Sequence, residues 1–548
     1  MMLALFDGRI DNREDLLIRV GGPAAAARSD ADLALAIFER WGSAGLEWIV
    51  GEWSLVVWDP AARTAHLARD YMGARPLYYC AAPEGITWSS DLADVVARTG
   101  RADALSDRFA ARYMGLTPRA DATPYEGVLA VPPGVCVSVD ATGAAQHRRF
   151  WSLALGEIRY RDPRDYEERL RELWRHAVLS RLTTDTVWAE LSGGLDSSSV
   201  VCMADWLIRR GAASTSALRL VSHATLRSPE GDERRFVAEV ERQAGVRSEI
   251  VGVEDTQELM DPERAWLTPY ALQGVGLETV RRVRAGGGSL VLSGRLGDAV
   301  MGCQPDNSVA VMDELRRGRV RAAARDMRRW SRATKKPFVE IAARLLIGDR
   351  PPPADGGINL LTPRLREMLR DTPPLEVPRE ARRSKRALAR MVLGYSIGAR
   401  LDIPHRPPGV TYAYPFTHRP LVDFMLAIPG DQLSAPDATR SLMRRAFACF
   451  VPPRVIRRIS KGYYPPAAYR AVREAVAAIS VPDLEVVERG WIDPDRLQAA
   501  IHALATGTGD TGGDIHGVLR LEAWLQARRH RPSMPQRKEV NTHEVLHA

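Results

Sequence analysis

The first 150 residues alternate between apolar and polar positions in short runs that turn-forming residues separate. Clear examples are Glu52–Asp59, Thr64–Arg69 and Pro76–Cys80. Such runs predict β-strands, because successive side chains of a strand face opposite sides of the sheet. Only two segments there have helical spacing, Asp30–Trp41 and Asp91–Arg98. This part of the chain is therefore predicted to be a β-rich domain.

The pattern changes between Phe150 and Pro163, where the alternating runs end and an amphipathic helix is predicted from Tyr166. Beyond this helix, the apolar run Thr186–Leu191 is followed by a glycine-bearing turn, a helix to Ile208 and another apolar run. Alternating strands and helices predict a parallel sheet with helices on its faces. We therefore place a domain boundary at the change of pattern.

A further short apolar run, Ser289–Leu292, precedes a second glycine-bearing turn, and beyond Asp313 the spacing is mostly helical. The resulting division assigns residues 1–155 to a first domain and residues 160–530 to a second. Residues 531–548 are predicted to be a polar tail.

Composition indicates a globular protein, with 45% hydrophobic and 26% charged residues. The sequence shows no secretion signal and no uncharged apolar stretch of about eighteen residues. Its five cysteines lack C-x-x-C spacing, which argues against a disulfide framework or a cysteine-rich zinc site. We therefore expect a soluble cytoplasmic protein that does not bind a membrane.

The net charge of +8 is compatible with an acidic partner or with nucleic acid. Arginine is densest in Arg316–Lys336, where apolar residues recur at helical spacing. A solvated helix face is the first interpretation of this segment, and a docking surface for a partner or peptide is the second.

The strongest chemical signal is the segment Leu191–Ser198, Leu-Ser-Gly-Gly-Leu-Asp-Ser-Ser, between a predicted strand and a predicted helix. Its glycines allow backbone conformations that other residues avoid and let an anion come close. The free N–H groups at the start of the following helix favour a bound anion. A carboxylate repels phosphate unless a cation lies between them, so we expect Asp196 to bind Mg²⁺.

This segment is not a Walker loop, because the sequence contains no G-x-x-x-x-G-K-[ST]. It resembles the pyrophosphate loop of the ATP pyrophosphatases, which cleave ATP between the α- and β-phosphates and pass AMP to a substrate. An ordinary serine- and glycine-rich turn is the alternative. The resemblance assigns residues of this segment, and of a second glycine-bearing turn after Leu292, to ATP binding. They are Leu191, Ser192, Gly193, Gly194, Leu195, Asp196, Ser197, Ser293 and Gly294.

The second turn, Leu292–Asp298, also follows an apolar strand. Strand ends of a doubly wound sheet meet at one crevice, so we expect Asp298 to face Asp196 across the nucleotide. Two carboxylates sharing Mg²⁺ would neutralise triphosphate charge as pyrophosphate leaves. A simple helix cap is the alternative interpretation of this turn.

A third element, Arg457–Tyr464, contains Lys461 followed by glycine and aromatic residues. We expect this lysine to reach the crevice and stabilise charge in the transition state. A surface lysine in a basic loop is the alternative.

Together these segments resemble the asparagine synthetase family of glutamine-dependent amidotransferases over nearly the whole chain. The most specific match is Ala68–Tyr79, which is similar to the family's A-R-D-R-x-G-x-K-P-L-Y-Y run. The other matches occur in the family's order at Asp7–Asn12, Ser29–Gly42, Ser192–Ser197, Asp232–Glu233, Ser293–Asp298, Tyr414–Phe416 and Lys461–Gly462.

The resemblance implies an α+β N-terminal domain with a glutaminase-like, Ntn-hydrolase-like β-sandwich. An α/β parallel-sheet ATP pyrophosphatase synthetase domain with a helical C-terminal region follows it. It also implies ATP and Mg²⁺ as cofactors, with Asp196, Asp298 and Lys461 as catalytic residues. tRNA-modifying proteins use the same loop, but most lack the glutaminase-like half, so no nucleic-acid partner is expected.

The glutaminase-like half departs from the family pattern. Family glutaminase domains begin with a catalytic cysteine after the initiator methionine, whereas position 2 here is Met2 and no cysteine precedes Cys80. We therefore expect a degenerate domain that releases no ammonia from glutamine, so that the substrate supplies the amine.

Two groups of relatives use an amine of the substrate. β-Lactam synthetases close a ring in a small molecule, and lasso peptide cyclases join a peptide's N-terminal amine to an Asp or Glu side chain. β-Lactam synthetases have a tyrosine where this chain has Arg295 and a glutamate where it has Thr411. The hypothesis favoured is therefore a lasso-type macrolactam synthetase.

This hypothesis implies a precursor peptide as substrate, and a leader peptidase and a leader-peptide recognition protein as further partners. Candidate substrate contacts are Arg295, Tyr412, Tyr414 and His418. A β-lactam-synthetase-like small-molecule cyclase and a non-catalytic peptide-binding scaffold remain alternatives.

Overall fold

The structure of the protein is a computed structural model. It describes residues 2–21, 29–83, 85–116, 119–153, 156–226, 231–256, 261, 263–271, 274–303, 306, 308–347, 357–370, 377, 383–402, 409–436, 438–458, 472–477, 479–508 and 512–531.

The N-terminal part contains two antiparallel sheets, with strand orders β1-β2-β3-β7-β8 and β5-β4-β6. The strands are β1 (Leu3–Ile10), β2 (Gly51–Asp59), β3 (Thr64–Arg69), β4 (Tyr78–Ala82), β5 (Gly85–Ser89), β6 (Leu129–Ala130), β7 (Val135–Val139) and β8 (Ala145–Arg149). Val56, Leu67 and Val137 of the first sheet share a buried apolar cluster with Tyr79 of the second. The two sheets therefore pack face to face. The alternating runs predict the strands, and the family resemblance implies the sandwich.

Helices cover parts of these sheets. The helices are Arg13–Val20, Asp30–Trp41, Leu92–Arg98 and Asp107–Met114, with a 3₁₀-helix at Gly42–Trp48. Asp30–Trp41 has the predicted bounds, and the hydroxyl of Ser29 caps it by accepting a hydrogen bond from the Asp32 N–H at 3.1 Å. The helices at 13–20 and 107–114 were not predicted, because eight residues are too few for helical spacing to stand out.

The second part contains a parallel sheet, as predicted. Its strands are β9 (Thr186–Glu190), β10 (Ala217–Ala224), β11 (Ser248–Gly252), β12 (Leu290–Leu292) and β13 (Thr411–Ala413). Their order in the sheet is β11-β10-β9-β12-β13, and all four pairings are parallel. After β9, the chain adds β10 and β11 on one side of this strand and then β12 and β13 on its other side. In such sheets a ligand crevice lies where the direction changes, here at the carboxyl ends of β9 and β12.

Helices cover both faces of this sheet. The first of them are Pro163–Leu179, Leu195–Arg209, Arg234–Ala244 and Gly274–Ala285. On one face, Val187 and Ala189 join the main core with Trp174. On the other face, Trp188 packs with Val283 in a separate cluster. The alternation along β9 therefore buries both sides of the strand, which is typical of a parallel sheet.

The described residues after β12 are mostly helical, as predicted, apart from β13. Its helices are Gly297–Val300, Val311–Arg316, Val320–Thr334, Phe338–Ile347, Pro363–Arg370, Arg383–Asp402, Arg419–Ala427, Gly430–Leu433, Ser441–Phe447, Pro453–Ile456, Glu485–Glu488, Pro494–Thr506 and Gly512–Arg529. Short 3₁₀-helices lie at Ser308–Ala310, Gly357–Leu360, Pro415–Thr417 and Val481–Asp483. None of the helices described is long and apolar enough to cross a lipid bilayer.

The arginine-rich segment forms the helix Val320–Thr334. Its Trp330 is buried in a cluster with Val311 and Ile341. The tryptophan is therefore a packing residue and does not present a surface to a peptide, while most of the arginines lie on the exposed face. This agrees with the first interpretation of the segment, a solvated helix face.

A buried ionic network joins the two parts of the chain. Arg181, at the end of the helix Pro163–Leu179, donates from Nε and Nη2 to Oε1 of Glu52 on β2, at 3.0 and 2.7 Å. Arg9 donates to the other carboxylate oxygen at 3.3 Å and to Asp11 at 2.7 Å. Burial alone would raise the pKa of Glu52, but Arg181 and Arg9 outweigh it and lower that pKa to about 2. The exact bounds of the two domains, residues 1–155 and 160–530, stay a prediction.

Candidate active site

The loop after β9 folds tightly around Ser197. The Ser197 hydroxyl accepts a hydrogen bond from the Ser192 N–H at 3.1 Å and lies 3.0 Å from the Ser192 hydroxyl. Gly193 has a φ of 69°, and a Cβ there would lie 2.8 Å from Cβ of Phe236. The loop thus needs glycine at this position. It leads directly into the helix Leu195–Arg209, whose first N–H groups suit an anion.

The turn after β12 packs directly against this first loop. A Cβ on Gly294 would lie 2.6 Å from the backbone nitrogen of Ser197, and a Cβ on Gly297 would lie 2.6 Å from Cγ of Asp196. Ser293 donates from its hydroxyl to Glu190 Oε2 at 2.5 Å, which ties the ends of β9 and β12 together. The glycines of the second turn therefore permit the close approach of the two loops.

This approach brings the two predicted magnesium ligands together around Arg440. Nη1 of Arg440 donates to Asp196 Oδ1 and Oδ2 at 2.8 and 2.6 Å, and to Asp298 Oδ1 at 2.9 Å. Burial alone would lower the pKa of Arg440, but Asp196 and, more weakly, Asp298 raise it. Three carboxylate oxygens thus converge on one cationic group, and the binding of Mg²⁺ by Asp196 and Asp298 stays a prediction.

The two carboxylates also fit Mg²⁺ by their chemistry. Mg²⁺ is commonly bound by one or two carboxylates together with substrate phosphates and water. Within the described residues, no cluster of three or more His, Cys, Asp or Glu side chains forms a metal site made by protein alone. A two-carboxylate site completed by a nucleotide is consistent with both observations.

A cavity of about 420 Å³ opens beside these carboxylates. Sites for small molecules commonly have volumes of about 300–1,000 Å³. Ten predicted site residues line it: Leu191, Ser192, Gly194, Asp196, Ser197, Ser293, Gly294, Arg295, Asp298 and Tyr414. Gly193, Leu195, Tyr412 and His418 do not line the cavity. Their assignment to ATP or substrate stays a prediction.

Tyr412 is half-buried and His418 is buried. Tyr412 is on β13, with its ring centroid 6.4 Å from that of Tyr414. Burial, reinforced by Glu190, raises its pKa well above the usual value, so it is a neutral phenol. His418 is 7% exposed and places Nδ1 3.3 Å from Asp11 Oδ2, at the junction of the two parts of the chain. Its observed contact is thus with the N-terminal part.

Sequence reasoning missed three residues of the site: Glu190, His223 and Arg440. Glu190 ends β9 immediately before the loop, so an acid beside the serine-glycine segment was a usable signal. His223 lies on β10, and burial lowers its pKa. Its Nε2 lies 2.9 Å from the Thr279 hydroxyl, which itself donates to the Val275 carbonyl at 2.7 Å. The neutral ring therefore donates from Nε2 to Thr279.

Lys461 lies outside the described residues. The nearest described residue before it, Arg458, donates to the carbonyl oxygen of Gly193 at 3.1 Å. It also forms an ion pair with Glu233, and its guanidinium stacks 4.2 Å from the centre of the Phe236 ring. The segment that leads to Lys461 is therefore attached to the first loop.

Known proteins match both parts of the chain. The family model for the glutamine amidotransferase domain matches residues 2–151. A carboxyethyl-arginine beta-lactam-synthase of Streptomyces clavuligerus is 33% identical over 243 residues, which are 43% of this chain and 42% of that protein. Glutamine-hydrolyzing asparagine synthetase 3 of Bacillus subtilis is 25% identical over 205 residues, 36% of this chain and 33% of that protein. The matches therefore span less than half the length of these relatives.

A solved structure of glutamine phosphoribosylpyrophosphate amidotransferase from Bacillus subtilis aligns with 54% of this chain and 61% of that one. The identity is 14% and the TM-score is 0.21, so this likeness supports no argument. The asparagine synthase model, in contrast, matches residues 169–526, well over half of the 548 residues, and the chain belongs to the asparagine synthase family.

Proposed function

We propose that this protein is an ATP- and Mg²⁺-dependent ligase that activates a substrate carboxylate as its AMP ester and forms an amide from it. The principal support is the convergence of Asp196 and Asp298 on one cationic position beside a cavity of about 420 Å³. Membership of the asparagine synthase family, whose enzymes use ATP, supports the same reaction class.

Each part of the site has a role in this reaction. The N–H groups after Gly194 and the hydroxyls of Ser192 and Ser197 would bind the leaving pyrophosphate. Asp196 and Asp298 would hold Mg²⁺, which offsets the negative charge of the phosphates. The substrate carboxylate attacks the α-phosphorus, and pyrophosphate leaves. An amine then attacks the acyl carbon and displaces AMP.

The amine in this proposal comes from the substrate itself. The amidotransferase-like residues contain two cysteines, Cys80 and Cys136, and both are buried. Burial raises the pKa of the Cys136 thiol to about 12, so it is not a nucleophilic thiolate. Neither cysteine therefore suits the attack on glutamine that would release ammonia.

The substrate class that we propose is a precursor peptide, closed into a macrolactam between its N-terminal amine and an Asp or Glu side chain. Arg295 lines the cavity and can hold a carboxylate by its planar fork. It stands where β-lactam synthetases have a tyrosine. Thr411 stands where they have a glutamate, and its backbone pairs with β12. A peptidase that removes a leader and a protein that binds it belong to the same proposal.

A small-molecule cyclase is the second candidate. It is favoured by the 33% identity with the beta-lactam-synthase of Streptomyces clavuligerus. The two candidates differ in the size of the molecule that must reach the AMP ester. They can therefore be separated by supplying substrates of both sizes.

The test supplies ATP and Mg²⁺ with linear peptides that have a free N-terminal amine and an internal Asp or Glu. The expected products are AMP, pyrophosphate and a peptide lighter by one water, measured by chromatography and mass spectrometry. An N-acetylated peptide is the matched control, since it allows activation of the carboxylate but not ring closure. Glutamine should not restore amide formation with that control.

Other results would contradict parts of the proposal. ADP in place of AMP would exclude the reaction class. Loss of water from carboxyethyl-arginine, but from no peptide, would favour the small-molecule cyclase. Peptide binding without any Mg²⁺-dependent ATP binding would indicate a non-catalytic scaffold.

A further inference from the structure

A second cavity, of about 610 Å³, lies where the N-terminal part meets the helix Pro363–Arg370. Its walls come from the helix Asp107–Met114, from residues 119–129 and from Met368. It shares no lining residue with the cavity beside Asp196. Its volume also lies in the range of small-molecule sites, about 300–1,000 Å³.

Arg112 is the unusual residue of this second cavity. It lines the cavity, is only 5% exposed, and its Nε is buried without a hydrogen-bond partner. Within the described residues its guanidinium takes part in no hydrogen bond or ion pair. A guanidinium keeps its charge in proteins and has five N–H donors. Burying one without a partner is costly, so its retention calls for a ligand.

The surroundings compensate little of this charge, since Asp121 is the weakest of the influences on the Arg112 pKa. Arg108 and Arg119 also line the cavity, and burial together with their positive charges lowers the pKa of Arg112. Arg119 already binds Asp121 through two hydrogen bonds, of 2.8 and 2.6 Å. Asp107 accepts from Nε1 of Trp491 at 2.7 Å. Asp121 and Asp107 are thus bonded to other groups, and Glu126, the third acidic residue of the lining, is exposed to solvent.

The hydroxyl groups of the wall are also used elsewhere. Thr123 donates to the Val128 carbonyl at 2.6 Å, and Tyr125 donates to the Leu267 carbonyl at 2.9 Å. Apolar side chains, including Phe109 and Met368, complete the lining. The cavity therefore combines an unpaired buried cation with a wall that is partly polar and partly apolar, as sites for small organic anions do.

We propose that this cavity is an oxyanion site, in which Arg112, with Arg108 beside it, binds the carboxylate or phosphate group of a small ligand. A planar guanidinium matches both groups by paired N–H···O bonds. The apolar body of the ligand lies against Phe109 and Met368. The site is separate from the nucleotide cavity and does not depend on the proposed reaction.

The test measures thermal stability and binding for the full chain with inorganic phosphate and with succinate, at matched ionic strength in chloride. Either anion should raise the melting temperature of the wild type and bind measurably by calorimetry. Arg112→Met should bind about tenfold more weakly or worse, because it loses the paired charged hydrogen bonds. It should also melt at a higher temperature than the wild type without anion, since a buried unpaired charge is gone.

Arg148→Met is the matched control, because Arg148 lies on the exposed strand β8; it should behave as the wild type. Phosphate bound at the nucleotide loop raises stability equally in all three proteins, so the difference between them reports on Arg112. A response to only phosphate or only succinate identifies the ligand class. Equal anion binding by the wild type and Arg112→Met, or a lower melting temperature of Arg112→Met without anion, would overturn the proposal.

Discussion

Asp196 and Arg440 form a pair in which one guanidinium nitrogen donates to both oxygens of one carboxylate, at 2.8 and 2.6 Å. The same nitrogen reaches Asp298 at 2.9 Å. Arg440 is 6% exposed, so the pair is shielded from water. A divalent cation that binds Asp196 and Asp298 must therefore compete with Arg440 for the same oxygens.

This competition gives a direct expectation for Arg440→Ala. Without nucleotide, the variant should bind Mn²⁺, a spectroscopic substitute for Mg²⁺, about tenfold more tightly, since a tenfold change needs only about 1.4 kcal/mol. Electron paramagnetic resonance of free Mn²⁺ measures this affinity without relying on activity. Arg445→Ala, in the helix that begins directly after Arg440, is the control; Arg445 is exposed, and its loss should not change the affinity. Unchanged Mn²⁺ affinity in Arg440→Ala would mean that the two cations do not share a site.

Asp196→Asn tests the first of the two carboxylates. An amide is a much weaker ligand than a carboxylate for a hard cation such as Mg²⁺. Formation of AMP and pyrophosphate should fall by about a hundredfold or more. Asp205→Asn, in the same helix with a partner in Arg209 at 2.8 Å, should keep its activity. AMP formation at the wild-type rate would remove Asp196 from the mechanism.

Gly294→Ala tests the contact between the two loops. The added Cβ would lie 2.6 Å from the backbone nitrogen of Ser197, so one loop must move away from the other. A displacement near 1 Å at a reacting site can lower the rate by about a hundredfold. Gly156→Ala is the control, because a Cβ there meets nothing within 4 Å. Steady-state kinetics should show the loss only in Gly294→Ala.

The sequence predicted the site best where local pattern determines position. Asp196 and Asp298 each follow a strand of a parallel sheet, and such a sheet brings the carboxyl ends of its strands to one edge. The contact of Arg440 with Asp196 could not be predicted, because the two residues are 244 positions apart and no strand or turn signal precedes Arg440. Only the packing of the C-terminal helices places its guanidinium there.

The position of His418 could not be predicted from its motif either. Its motif places it close to Tyr414, which lines the cavity, but the 3₁₀-helix Pro415–Thr417 turns the chain between them. His418 then faces Asp11, a residue from the start of the chain. The pairing of Glu52 with Arg181 was hidden for the same reason, since their sequence separation is 129 residues.

Glu52→Gln should reveal that buried pairing through its pH dependence. The pKa of Glu52 is lowered from 4.5 to about 2, so the carboxylate stabilises the fold fully above pH 4.5 and loses this effect as pH falls toward 2. At neutral pH the variant should lose about 3 kcal/mol, the usual cost of breaking a buried ion pair. The difference between the two proteins should shrink below pH 4.5, measured by urea unfolding. A difference that stays constant over this range would show that the Glu52 charge has no such role.

Lys461→Ala tests the residue that the family resemblance assigns to the transition state. Arg458 donates to the Gly193 carbonyl, and Lys461 follows it by three residues in the sequence. If its ammonium stabilises developing charge, turnover should fall by about a hundredfold or more while ATP binding stays nearly intact. Arginine should restore little, since a planar fork does not replace a compact ammonium. ATP affinity measured by calorimetry separates this effect from a loss of binding. Unchanged turnover in Lys461→Ala would instead make Lys461 a surface residue of a basic loop.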